Sequence, residues 1–111
     1  MYLADDNLHI VTKELKNLSS KERNELLEKL RTEVDKIDSE ISSLLIERIK
    51  LIMEIGEIKR TLNLPAYDAA REREIENNIR FNGNPEINKA LKNIFERIVD
   101  ESRSIQRGRK K

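Results

Sequence analysis

Between Glu22 and Leu62 apolar residues recur at alternating steps of three and four with no intervening proline: Leu27, Leu30, Val34, Ile37, Ile41, Leu44, then Arg48, then Leu51, Ile55, Ile58 and Leu62. That spacing lays one apolar stripe along a helix, and Arg48 alone interrupts it. At 1.5 Å per residue such a helix runs on the order of 60 Å, too long for a small domain to cover by itself. Heptad-like spacing asks for another long helix alongside. The other helices of the chain are shorter, so a second copy of this one is the expected partner. Ser19, three residues ahead of Glu22, predicts a reciprocal capping box at the start.

Three shorter helical segments flank it. Leu8, Val11, Leu15 and Leu18 keep helical spacing, with Asp5 or Asp6 as cap, and predict a short N-terminal helix. Pro65 disfavours helical geometry at Leu64, so the segment from Asn63 to Tyr67 is a break. Asp68 is the expected cap of the next helix, with Glu72, Ile75 and Ile79 on one face and Asn82-Gly83 as its stop. Asn84-Pro85 supplies a cap and first helical position for the last helix. Its inner stripe reads Ile87, Leu91, Ile94, Phe95, Ile98, Ser102, Ile105 and Gln106, and it ends near Gly108. The expected organisation is an N-terminal extension (1–18), one helical domain (19–108) and a basic tail (109–111), with no strand and no internal repeat.

Composition narrows the chemistry. The chain has 111 residues, 37% hydrophobic and 39% charged, with three Gly and no Trp, a balance that suits solvated helices in one small domain. Twenty-two Lys and Arg against 21 Asp and Glu leave a net charge of +1, so no general field draws nucleic acid or an anionic membrane, and anion recognition has to be local. With no Cys and one His, His9, thiolate nucleophiles and the usual zinc ligands are missing, and neither a metal nor a cofactor is expected. No apolar run reaches signal-peptide or membrane-spanning length, which reads as a cytoplasmic protein.

The polar residues that interrupt apolar stripes are the informative ones. Three and four residues either side of Arg48 stand Leu44, Leu45, Leu51 and Ile52, and the same positions around Lys59 are Ile55, Gly56, Leu62 and Asn63. Neither cation has an acid three or four residues away along its own helix, and the two project from nearly the same face about 16 Å apart. Charge taken out of water costs several kcal/mol unless it is paired, so the pair implies a missing anion. Taken singly, Arg48 reads equally well as a register device, and Lys59 as a side chain reaching for water. Glu72, Ser102 and Gln106, also on otherwise apolar faces, turn isolated exceptions into a cluster. Gly56 within a helix marks close approach by a helix or a ligand. Arg31 lies about 25 Å from Arg48 along the helix, so one small ligand does not reach both from the same helix; Glu28 and Asp35 are available as surface partners.

Laid in order, Leu30-Arg31, Leu44-Leu45-Ile46-Glu47-Arg48, Ile55-Gly56-Glu57-Ile58-Lys59, Pro65-Ala66-Tyr67-Asp68-Ala69-Ala70-Arg71-Glu72 and Ser102-Arg103-Ser104-Ile105-Gln106 resemble the all-helical, type II chorismate mutases over most of the chain. The resemblance implies three helices per chain, a very long first helix, an intertwined homodimer and active sites shared between chains. It implies conversion of chorismate to prephenate in phenylalanine and tyrosine biosynthesis, with no metal or cofactor, and catalysis by conformational restraint and electrostatic stabilisation. By the same resemblance Arg31 of one chain and Arg48 of the other hold the two carboxylates, and Lys59 and Gln106 donate to the ether oxygen. Glu72 accepts from the ring hydroxyl with Asp68 assisting, and Arg71 and Ser102 complete the polar lining. A neutral amide at Gln106 donates at any ordinary pH, which implies a broad pH profile. No second enzymatic domain is recognisable, so a monofunctional chain is expected. The competing readings are an isochorismate pyruvate lyase with the same fold and a noncatalytic helical dimerisation module.

Overall fold

The computed structural model describes residues 15–108. Three helices form over that range: α1 (Ser20–Thr61), α2 (Ala69–Asn77) and α3 (Pro85–Gln106), with no strand among the described residues. Of the predicted N-terminal helix only Leu15 to Leu18 are described, closing with a turn in which the Leu18 N–H donates to the Leu15 carbonyl at 3.2 Å. The rest of that segment and the basic tail lie outside the described residues.

Helix ends follow local chemistry. The Ser19 N–H donates to Glu22 Oε1 at 3.0 Å and the Glu22 N–H to Ser19 Oγ at 3.1 Å, the reciprocal box that satisfies two orphan donors of α1. At the other end Asn63 adopts the left-handed conformation (φ 57°), and the Leu64 N–H reaches back to the Lys59 carbonyl at 2.8 Å, closing a Schellman motif ahead of Pro65. Asp68 caps α2 by accepting from the Arg71 N–H at 3.0 Å. This helix is shorter than its apolar spacing predicts: Asn78 is its C-cap and bonds the Glu74 and Ile75 carbonyls, so Ile79 lies past the last turn and the stop precedes Asn82-Gly83. Two successive asparagines, poor helix formers whose amides compete for local backbone groups, end it early. Asn84 then caps α3 by accepting from the Glu86 and Ile87 N–H groups, with Pro85 at the first helical position.

The chain divides into two compact units, one up to Leu45 and one from Ile46 onward. In the first, Leu27, Val34, Ile41 and Leu44 on the apolar stripe are all exposed. In the second, the end of α1 packs with α2 and α3, with Ile52, Gly56 and Ser102 buried. Gly56 is where α3 comes closest: a Cβ there would stand 3.1 Å from Gln106 Cα and 3.4 Å from its carbonyl oxygen. No described helix is long and apolar enough to cross a membrane.

Candidate active site

Within the second unit a cavity of about 270 Å³ opens between the three helices. Arg48 and Lys59 enter it from α1, Asp68, Arg71 and Glu72 from the start of α2, and Ser102 and Gln106 from α3. Leu51, Ile52, Ile55 and Val99 supply its apolar wall. Seven of the eight residues singled out from sequence thus line one cleft. Arg31 does not. Its side chain is 64% exposed and pairs with Glu28 at 2.9 Å, the surface pairing its spacing allows.

Arg48 and Lys59 are both held by neutral groups. Arg48 donates through Nη1 to Ser102 Oγ, and that hydroxyl donates onward to the Ile98 carbonyl at 2.7 Å. Lys59 Nζ donates to the Ala66 carbonyl at 2.9 Å and to Gln106 Oε1 at 2.6 Å. Among the described residues no carboxylate pairs with either cation. Burial lowers the Arg48 guanidinium from its ordinary range, and the neighbouring Arg71 charge adds to the effect. An anion in the cleft would oppose both influences. Because Lys59 occupies Oε1 of Gln106, the amide's two N–H donors remain available for a second partner, and one of the three ammonium protons is also unspent.

Glu72 has a partner that the sequence reading missed. Arg103 grips it with both arms, Nε to Oε2 at 3.0 Å and Nη2 to Oε1 at 2.7 Å, and these are among the less exposed charged side chains, at 22% for Arg103 and 25% for Glu72. The hydrogen bond to Glu72 is the main cause that raises the Arg103 guanidinium above its usual value. The guanidinium also sits 5.3 Å from the Tyr67 ring centroid. Thirty-one positions separate Arg103 from Glu72, so no helical spacing announces the pair. Arg60, also unforeseen, donates to the Gln106 carbonyl at 2.8 Å and clamps the end of α3 against α1. Among the described residues no group of His, Cys, Asp and Glu is arranged to hold a metal ion.

Fold and cleft together define an all-helical domain with a charged cleft among its three helices. The chain belongs to the chorismate mutase type II family, whose model matches residues 30–107. It is 33% identical to a chorismate mutase of Methanocaldococcus jannaschii over 86 residues, covering 75% of this chain and 86% of that protein. It is 43% identical over 88 residues to a bifunctional chorismate mutase/prephenate dehydratase of Aquifex aeolicus, covering 75% of this chain but only 24% of that longer protein. Among solved structures, a conserved hypothetical protein from Pyrococcus furiosus matches with a TM-score of 0.59 and 38% identity, over 73% of this chain and 95% of that one.

Proposed function

We propose that the chain rearranges chorismate to prephenate in the cleft of its second unit. The observation that carries this reading is that Arg48 and Lys59, both half-buried, meet only neutral partners among the described residues, beside a cavity. A small dicarboxylate supplies the charge they lack. The volume of about 270 Å³ falls just below the usual range of small-molecule sites, about 300–1,000 Å³, as suits a compact guest.

The reaction is pericyclic: the ether C–O bond breaks as a C–C bond forms, with no proton, nucleophile or electron supplied by the protein. What the protein contributes is geometry and field. Arg48 holds a carboxylate, and Ser102 sets its rotamer. Lys59 and the Gln106 amide direct their remaining donors at the ether oxygen, where negative charge grows as the bond breaks. Glu72 accepts from the ring hydroxyl, with Asp68 and Arg71 at the same mouth. Holding an extended dianion in the folded shape converts a rare conformer into the bound one.

The same reading makes the working unit a homodimer in which Arg31 of one chain completes the other chain's site. The exposed stripe Leu27, Val34, Ile41, Leu44, Leu51, Ile55 and Ile58 supports it, since a run of apolar side chains this long calls for a cover. The deciding experiment incubates the purified chain with chorismate and separately with isochorismate. Loss of chorismate absorbance with prephenate as product is expected. Inertness toward chorismate, or pyruvate release from isochorismate as the faster reaction, would overturn the assignment.

A further inference from the structure

Glu72 poses an electrostatic problem for the reading above. A bare carboxylate in a small cleft repels an incoming dianion, yet the substrate's hydroxyl needs an acceptor. Arg103 resolves the conflict. Its fork takes one lone pair from each Glu72 oxygen, at 2.7 and 3.0 Å, and leaves the other lone pair of each oxygen for a further donor. The guanidinium is itself held on its remaining sides, by Asp100 at 3.4 Å from Nη1 and by the Tyr67 ring. It is therefore placed before any ligand arrives. Both members of the pair line the cleft.

We propose that Arg103 is a positioning residue for the rearrangement: shared between Glu72 and the more exposed Asp100, it offsets much of the charge of Glu72 while fixing both its oxygens, so the cleft admits a dianion and still offers the ring hydroxyl an acceptor. The inference rests on the chorismate reading and adds to it a residue that acts through Glu72 and not on the reacting atoms. A purely structural tie between α2 and α3 is the competing role, and it predicts a change in thermal stability alone.

The test compares wild type, Arg103→Gln, Glu72→Gln and the double variant, measuring kcat and KM for chorismate at low and high ionic strength, with a thermal midpoint for each. Arg103→Gln uncovers the Glu72 charge, so KM rises about tenfold or more, and the rise shrinks in high salt. Removing both charges in the double variant returns KM to within about threefold of Glu72→Gln, while kcat stays low because the acceptor is weakened. Wild-type KM in Arg103→Gln with only a lowered thermal midpoint would overturn the proposal, as would a double variant whose KM is no better than that of Arg103→Gln. Should Arg103→Gln fail to fold, Arg103→Lys carries the test: it keeps the charge without the fork, so KM stays within about threefold of wild type while kcat falls, and a tenfold rise in KM counts against the proposal. Wild type inert toward chorismate removes the underlying reading and this inference with it, whereas an active wild type with an unchanged Arg103→Gln removes the inference alone.

Discussion

A lysine ammonium has three protons, and at Lys59 two of them are spent on the protein's own oxygens, at Ala66 and Gln106. Those bonds aim the third. They also leave the Gln106 amide's N–H donors for other partners, so in the proposed reaction one contact would prepare two donors for the ether oxygen. Lys59→Ala removes one donor outright and frees the other to rotate. Its kcat is expected to fall about a hundredfold or more, with little change in thermal midpoint, since among the described residues no carboxylate pairs with the ammonium and would be left unpaired. Steady-state turnover of chorismate beside a melting curve checks this, and near-normal kcat would remove Lys59 from its assigned role. Spacing along α1 was enough to mark Arg48 as misplaced in an apolar stripe and Lys59 as a second cation on nearly the same face. Arg103 escaped notice because its partner lies on another helix, and periodicity reports only the face a residue shares with its own helix.

Gly56 shows how a helix contact controls the site. Alanine is the better helix former by about 1 kcal/mol, so Gly56→Ala ought to stabilise α1 if propensity alone decided the outcome. Its Cβ, however, would press on Gln106 Cα at 3.1 Å, and Arg60 already holds the Gln106 carbonyl in place. Either α3 shifts by a few tenths of an ångström or the strain remains. The expected result is a loss of about tenfold in kcat whatever the thermal midpoint does, because donor placement tolerates little error. Unchanged kinetics in Gly56→Ala would mean that the Gln106 backbone can shift without displacing its amide from the working position.

The capping box at the start of α1 has a pH signature. Hydrogen bonds from the Ser19 backbone and hydroxyl lower the Glu22 carboxyl from its ordinary 4.5. A depressed folded-state value means that the contribution is present above the unfolded value and lost as pH falls through the folded one. Glu22→Gln should therefore lose less helicity than wild type on acidification below about 4.5, measured by circular dichroism. An identical acid transition in both proteins would show that the box contributes nothing measurable.

At the scale of the molecule, the apolar surface of α1 makes assembly the central prediction. A homodimer with shared sites can be tested by complementation. Arg31→Ala and Arg48→Ala chains, each nearly inactive alone, are mixed in equal amounts under conditions that exchange subunits. Half the dimers formed are then mixed, and each carries one site with both arginines intact, so about a quarter of wild-type activity returns. Activity that stays at the level of the separate variants would show that Arg31 does not act across a dimer. Sedimentation of the wild-type chain as a monomer would remove the shared site altogether.

Helix identity, the capping box at Ser19, the cap at Asp68, the break at Pro65 and the residues foreign to their own stripes were all written in local spacing, because a helix sets its faces and ends within a few residues. Family membership followed from the order of those pieces. The early end of α2, the neutral partners of Arg48 and Lys59, the grip of Arg103 on Glu72 and the identity of Gln106 as the neighbour of Gly56 were not. Each depends on the distance between atoms of different helices, and only tertiary packing sets that distance.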